Sequence, residues 1–157
     1  HADWMSKKGA AAAALGPKVY VGLVRLLVPA GKAAPAPPVG PALGQRGLNL
    51  MDFCKAFNDQ TKDFIEGTPI PVKMMAYSDR TFTFEVKTPQ TSWFLKRAAG
   101  VAKGSATPGK GHVGEISLKH IYEIAKVKQQ DLTHVSLEKV CEQVVAQAKN
   151  IGLKVVR

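Results

Sequence analysis

Residues 28–49 of this chain read VPAGKAAPAPPVGPALGQRGLN, a stretch in which proline and glycine recur every few positions. Proline fixes φ at about −65° and disfavours helical geometry in the residue before it, so the A-P-A-P-P run is stiff and extended by itself. Val39, Leu43 and Leu48 supply apolar side chains that the stretch can bury, and Pro41 is suited to the first position of a short helix. The composition leaves two interpretations open, an ordered and rigid surface element or a proline-rich spacer.

A helix is predicted directly after this stretch. Asn49 is suited to the N-cap, and Asp52 in the first turn favours the free N–H groups and the positive end of the helix dipole. Leu48 and Phe53 have the spacing of a hydrophobic staple across that cap. These signals predict a helix that packs its apolar stripe inward.

Strand patterns lie on both sides of this predicted helix. Residues 19–28 are mostly β-branched and aliphatic, which predicts a strand. Residues 81–87 alternate apolar and polar side chains and are predicted to pair with residues 72–77 across a short turn. Helices packed on a small antiparallel sheet form an α+β unit, which is predicted to span residues 18–87.

The second half of the chain carries helix signals only. The T-P-Q at residues 88–90 is predicted to be a hinge, followed by a three-helix domain over residues 91–157. Residues 103–114 form a glycine- and lysine-rich loop between the first two helices, and residues 153–156 could add a short strand. The predicted helix ends are N-caps at Thr91 or Ser92, Ser117 and Ser136, with stops at Gly100 and Gly152.

The predicted fold class is therefore α+β, with two small domains. The alanine-rich residues 1–17 are expected to be a flexible N-terminal extension. No apolar run is long enough for a transmembrane helix, and no membrane association is predicted.

Net charge is the first unusual property. The chain has 157 residues with 22 Lys and Arg against 12 Asp and Glu, a formal charge of +10. A chain so small and basic is typical of proteins that bind a polyanion, most often nucleic acid, although an anionic membrane surface is the other candidate. Residues 89–157 hold 11 basic and 5 acidic groups, and residues 1–88 hold 11 and 7. The second half is therefore the better candidate for a nucleic-acid interface.

Cysteine and histidine give no sign of a redox or metal site. Cys54 and Cys141 lie in different predicted helices, which argues against a disulfide framework and for a reducing compartment. The four histidines have no metal-ligand spacing with each other or with the cysteines. No metal, cofactor or catalytic residue is predicted.

The G-S-A-T-P-G-K run at residues 104–110 has the spacing of a phosphate-cradling loop. Gly111 stands where such a loop needs a Ser or Thr for magnesium, and a predicted helix precedes the run instead of a strand. Nucleotide hydrolysis is therefore disfavoured. The loop is interpreted as flexible backbone with Lys103 and Lys110 that orders against phosphates, and a plain solvated loop is the alternative.

Cations also collect at two predicted helix ends. Lys126 and Lys128 end one helix, and Lys149 and Asn150 end the next. Such cations favour the helix dipole without any ligand, but beside a glycine- and lysine-rich loop they can also neutralise phosphates. Three short helices with basic ends also fit a DNA major groove, so a DNA-binding module is the alternative function.

Longer motifs resemble one family closely. The run PAGKAAPAPPVGPALGQRGLNLMDFCKAFN at residues 29–58 resembles the N-terminal signature of the large-subunit ribosomal protein L-eleven family of bacterial and organellar type. The likeness continues through PIPVK, SDRTFTFEVKTP, LKRAAG, KGSATPGK, HIYEIAKVKQQDL and AKNIGLKVV. It covers almost all of residues 18–157.

The resemblance implies a non-enzymatic protein of the large ribosomal subunit. Members bind the GTPase-associated region of large-subunit rRNA at the stalk base, beside stalk ribosomal proteins, and translational GTPases visit them transiently. No homo-oligomer is expected. Together with Lys110 of the loop, the implied rRNA-binding residues are Lys96, Arg97, Lys103, Gly104, Ser105, Lys126, Lys128, Asp131, Lys149, Asn150 and Gly152.

The N-terminal domain carries the other implied functional residues. In the family, a proline-rich helix faces the cleft that thiopeptide antibiotics occupy in bacterial ribosomes. The matching residues are Pro35, Pro37, Pro38 and Pro41. Lys55 matches a lysine that is methylated in bacteria.

Some positions depart from the family pattern. Residues 146–152 read AQAKNIG where many members have Gly-Thr-Ala-Arg-Ser-Met-Gly, so Lys149 keeps a positive charge but lacks the bidentate fork of arginine. Residues 93–96 and 122–129 are closer to plant or algal mitochondrial members, and the residues ahead of Met5 would suit a processed presequence. The expected location is a mitochondrial matrix ribosome, with the bacterial cytoplasm as the alternative.

Overall fold

Two separate hydrophobic cores form along this chain, one on each side of the peptide bond between Lys87 and Thr88. The computed structural model describes residues 19–35, 37 and 39–157, so the extension predicted at residues 1–17 lies outside the described part. Both units contain helices and strands, which agrees with the predicted two-domain α+β class.

The first unit is built on a three-stranded antiparallel sheet in the order β1–β2–β3. Its strands are β1 (Tyr20–Pro29), β2 (Pro69–Tyr77) and β3 (Phe82–Val86). Alternate residues of β2, among them Val72 and Met74, are buried, as expected when one face of a sheet packs on a core.

Two helices, α1 (Val39–Gly44) and α2 (Leu50–Gln60), complete this core. The Phe53 ring of α2 meets the Phe84 ring of β3 edge to face, with ring centroids 5.4 Å apart. The sheet and helices predicted for this half therefore share a single core.

The start of α1 differs from the sequence-based expectation. Pro41 was predicted to be the first helical residue, but the helix begins two residues earlier at Val39. The N–H groups of the whole first turn lack helical partners, so proline fits the third position as well as the first. Burial of Val39 and Leu43 fixes the earlier start.

The predicted start of α2 is confirmed. Asn49 Oδ1 accepts a hydrogen bond from the Met51 N–H at 3.1 Å, and Asn49 Nδ2 donates to Asp52 Oδ2 at 2.7 Å. Leu48 and Phe53 are both buried in the first core, as the staple requires.

The second unit contains three helices and a small sheet. The helices are α3 (Thr91–Ala99), α4 (Leu118–Lys128) and α5 (Leu137–Ile151). The strands β4 (Gly114–Ser117) and β5 (Leu153–Val156) pair in parallel. The strand suggested at residues 153–156 is confirmed as β5, whereas β4 was not predicted. Strand β4 is too short to show a period, and it forms because Ile116 and Leu153 are buried in the helical core.

The helix ends of this unit are partly as predicted. Ser117 and Ser136 cap α4 and α5 with their side-chain oxygens, and Gly100 and Gly152 end α3 and α5 in the left-handed conformation. The cap of α3 is Gln90, and its side chain makes no capping bond, so the prediction of Thr91 or Ser92 was wrong.

Within the described residues, the helices are all too short or too polar to span a bilayer.

Replacement of Asn49 by alanine should lower the free energy of unfolding by about 1 kcal/mol, because the first turn of α2 loses its side-chain acceptor. Thermal unfolding of the whole chain measures this loss. The exposed Gln45 is the matched control, since its side chain makes no hydrogen bond within the described part of the chain. Equal stability of the two variants would contradict the capping role.

Candidate nucleic-acid interface

The glycine- and lysine-rich loop between α3 and β4 is tied at both ends to the end of α5. The Ser105 N–H donates to the Ile151 carbonyl at 2.8 Å, and the Val113 N–H donates to the Gly152 carbonyl at 2.9 Å. The loop therefore leaves and returns at one point of the structure. Both ends of the loop are fixed by backbone bonds without any ligand, and flexibility of the residues between them stays a prediction.

Two glycines make this close approach possible. Gly152 has φ of 91°, and a Cβ at this position would collide with Ser105 Cβ. A Cβ at Gly104 would lie 3.2 Å from the Ile151 carbonyl oxygen, which is tighter than an ordinary contact. Glycine is required at positions 104 and 152 because it has no Cβ, and any side chain there would push the loop away from the helix end.

This arrangement brings three exposed cations to one place. Lys103 and Lys110 lie on the loop, and Lys149 lies in the last turn of α5 beside Asn150. None of the three lysines has a carboxylate partner within the described part of the chain. Their charge is therefore available to phosphates.

Residues that sequence analysis did not single out also lie beside the loop. A shallow cavity of about 380 Å³ lies beside the loop and is lined by Gly109, His112, Lys149, Leu153, Lys154 and Val155. Lys154 Nζ lies 3.5 Å from Glu115 Oε1, across the β4–β5 pair. His112 and Lys154 escaped sequence reasoning because their position depends on that pairing, and the only local signal was the short strand suggested at residues 153–156.

The basic end of α3 lies near the start of β4. Lys96 and Arg97 occupy the last turn of α3. A Cβ at Gly114 would lie 3.0 Å from a Val101 methyl group, so the chain just beyond α3 packs on the first residue of β4. Arg97 lies with its guanidinium carbon 5.2 Å from the centroid of a Trp93 ring, which supports it by a cation–π contact.

The two lysines at the end of α4 have different surroundings. Lys126 is exposed, and its ammonium lies 3.0 Å from Glu123 and 4.8 Å from the Tyr122 ring centroid. The hydrogen bond to Glu123 raises the pKa of Lys126 above its ordinary value. An exposed pair of this kind can exchange its partner for a phosphate at little cost.

Lys128 instead points into its own unit, where it holds the first residues of that unit. Its ammonium donates to Thr88 Oγ1 at 3.0 Å and to the Pro89 carbonyl at 3.3 Å. Asp131 Oδ2 accepts from both the N–H and the hydroxyl of Thr88. Only 17% of the Lys128 side chain and 21% of the Asp131 side chain are exposed. These two groups therefore already have partners within the protein, and Thr88 and Pro89 are buried.

The site residues of the first unit are exposed where they are described. Pro35, Pro37 and Pro41 lie at the surface, and Lys55 is an exposed residue of α2. Pro38 lies outside the described residues. Next to Lys55, the free Cys54 thiol packs in the core, and burial raises its pKa.

The surroundings of the G-S-A-T-P-G-K run do not match a nucleotide-hydrolysing loop. Helix α3 precedes it and strand β4 follows, whereas a phosphate-cradling loop runs from a strand into a helix. Across the described residues, no group of three or more His, Cys, Asp and Glu side chains could hold a metal ion.

Comparison with known proteins matches both halves of the chain to one family. Residues 24–82 match the family model described as Ribosomal protein L11, N-terminal domain, and residues 87–155 match Ribosomal protein L11, RNA binding domain. Among curated proteins, the "Large ribosomal subunit protein uL11" of Afipia carboxidovorans is 51% identical over 138 residues, which is 88% of this chain and 97% of the relative. The protein of the same name from Bradyrhizobium sp. is 50% identical with the same coverage. The chain carries both of these domains, the N-terminal domain first and the RNA-binding domain second, and it belongs to the ribosomal protein L11 family.

Proposed function

We propose that this chain is a constituent of the large ribosomal subunit that binds large-subunit rRNA through residues 88–157. Its family is one of ribosomal, non-enzymatic proteins. The observation that carries the proposal is the anchored loop on the domain matched as RNA-binding, where Lys103, Lys110 and Lys149 have no acidic partner among the residues that the structure describes. Phosphate neutralisation by such lysines supplies most of the affinity of a basic RNA-binding domain.

The proposed interface consists of the loop, the end of α5 and the end of α3. Lys96, Arg97, Lys103, Lys110 and Lys149 meet phosphates, and exposed Lys126 adds a further cation. Asn150 can hydrogen-bond a base edge or a 2′-hydroxyl. Gly104, Ser105 and Gly152 let the loop backbone approach the RNA at a fixed position.

Lys128 and Asp131 have a different role in this proposal. The resemblance places them among the RNA-binding residues, and the structure surrounds them with partners of their own. They support the interface by holding Thr88 and Pro89 on α4. Thr88 and Pro89, which were predicted to be part of a hinge, then belong to the second unit, and we propose that bending of the chain occurs before Thr88.

The RNA target and the remaining partners follow the family resemblance. We propose the GTPase-associated region at the stalk base as the binding site, with stalk ribosomal proteins as neighbours and translational GTPases as transient partners. Exposed Pro35, Pro37 and Pro41 face the factor and antibiotic cleft, and exposed Lys55 is accessible for methylation. The chain is proposed to act as a single copy and not as a homo-oligomer.

The compartment is revised from the sequence-based expectation. Both reported relatives are bacterial proteins, which favours a bacterial ribosome over the mitochondrial ribosome expected first. The DNA-binding alternative is not favoured, since the matched domain is that of an RNA-binding ribosomal protein.

Replacement of Lys103 and Lys149 together by alanine should weaken binding to a large-subunit rRNA fragment and reduce the salt slope of the affinity by up to about two. A filter-binding titration at several salt concentrations measures both quantities. Lys139→Ala is the control, because Lys139 lies in α5 far from its basic end and pairs with Glu142. An unchanged slope in the double variant would remove these lysines from the interface.

Lys128→Ala should lower the free energy of unfolding by about 1–3 kcal/mol, because Asp131 and the Thr88 hydroxyl lose a buried partner. Lys126→Ala, on the same helix, should change it by less than about 0.5 kcal/mol. Thermal unfolding of the free protein compares the two. Equal, small effects on stability combined with lost RNA affinity for Lys128→Ala would show instead that Lys128 contacts the RNA.

Co-sedimentation tests the assembly and the compartment together. The native protein should travel with large ribosomal subunits when cell extracts are separated on a sucrose gradient. Extracts of whole cytoplasm and of purified organelles identify the compartment. Recovery of the protein only in the unbound fractions would contradict the proposed function.

A further inference from the structure

The chain between β1 and α1, called here the proline segment, is held where it leaves the sheet by the side chains of Asn58 in α2 and of Thr61, the C-cap of that helix. The Ala30 N–H donates to the Thr68 carbonyl at 2.9 Å, which ends the β1–β2 pairing. The chain then turns at Gly31, whose φ of 69° suits glycine. From this point on, no strand pairs with the segment among the described residues, so its direction depends on other contacts.

The Lys32 N–H donates to the Pro29 carbonyl within this turn, and the exposed Lys32 ammonium pairs with Glu66. The remaining polar contacts come from two residues one helical turn apart. Asn58 Oδ1 accepts from the Ala33 N–H at 3.0 Å, and Asn58 Nδ2 donates to the Ala33 carbonyl at 3.3 Å. Thr61 Oγ1 accepts from the Gly31 N–H at 3.1 Å and donates to the Phe57 carbonyl at 2.8 Å. The carboxamide thus satisfies both polar groups of the Ala33 backbone, as a neighbouring strand would.

The other end of the segment is anchored by burial. Val39 and Leu43 of α1 are 1% and 0% exposed. A Cβ at Gly40 would lie 3.3 Å from the Pro35 carbonyl oxygen, so the backbone of α1 closes directly on the segment. Between the two anchors, Pro35 and Pro37 lie exposed on a chain whose prolines already restrict its conformations.

We propose that Asn58 and Thr61 are positioning residues for the proline segment. The core fixes where the segment ends, and the side chains of Asn58 and Thr61 fix the direction in which it begins. With both ends fixed, the exposed prolines occupy one place on the surface of the first unit. The inference rests on the proposed function only for the partner that meets these prolines.

Loss of either side chain should free the start of the segment without opening the core. Asn58→Ala removes both bonds to Ala33, while Asn58→Asp keeps an acceptor for the Ala33 N–H but sets a carboxylate against the Ala33 carbonyl. Thr61→Val keeps the shape and removes the acceptor of the Gly31 N–H. Asp59→Ala is the matched control on the same helix, since the side chain of the exposed Asp59 has Lys62 as its sole ion-pair partner among the described residues.

Amide hydrogen exchange of the full chain tests the proposal. In Asn58→Ala, the Ala33 amide should exchange at least about tenfold faster, which corresponds to a lost bond of about 1.4 kcal/mol, while the amides of β2 change less. Thr61→Val should accelerate Gly31 more than Ala33, and Asp59→Ala should change neither. Equal exchange of the amides of residues 31–34 in the Asn58 and Asp59 variants would overturn the proposal. Should Asn58→Ala fail to fold, Asn58→Asp and Thr61→Val decide it by the same comparison.

A second measurement separates positioning from stability. Large ribosomal subunits reconstituted with Asn58→Ala should stimulate GTP hydrolysis by a translational GTPase severalfold less than those with Asp59→Ala, while both variants bind the rRNA fragment with wild-type affinity. Normal stimulation by Asn58→Ala despite faster exchange would overturn a positioning role. Absence of rRNA binding by the unmodified chain would contradict the proposed function and leave the exchange result standing.

Discussion

Two backbone hydrogen bonds across the end of α5 organise the second unit of this protein. They join Ser105 to the Ile151 carbonyl and Val113 to the Gly152 carbonyl, and so hold the ends of a long loop together. A loop closed in this way has much less conformational freedom to lose on binding than an open one. Gly152 is required twice here, for its positive φ and for the space next to Ser105.

The lysines of the second unit differ in role because they differ in the groups that they contact. Lys128 is enclosed by Thr88, Pro89 and Asp131, so its charge is used inside the protein. Lys126 shares its charge with Glu123 at the surface. Lys103 and Lys149 have no carboxylate partner in the described structure and keep their full attraction for an external polyanion. Net charge alone would count all of these lysines equally.

In the first unit, the important feature is the fixed position of the exposed prolines Pro35 and Pro37. A run of prolines is stiff, but stiffness by itself does not determine where the run points. Asn58 and Thr61 at one end and the buried Val39 and Leu43 at the other supply that direction. Rigid presentation of this kind reduces the entropy lost when a partner binds.

The sequence by itself determined the features that depend on neighbours along the chain. The caps at Asn49, Ser117 and Ser136 each join groups two or three residues apart, so local pattern was enough to predict them. The long motifs of residues 29–58 identified the family for the same reason, because they can be read without knowing any contact.

Only the tertiary structure decided the features that depend on distant pairs. Asp131 meets Thr88 across 43 residues, and Asn58 meets Ala33 across 25. Strand β4 is explained only by its partner β5, because a four-residue strand carries no period of its own. Such contacts form when burial of the two cores brings separate segments together, and the spacing of residues along the chain holds no record of that approach. The sequence could therefore name the lysines of this protein, but only the fold could separate those that face outward from Lys128, which bonds Thr88 and Pro89 within its own unit.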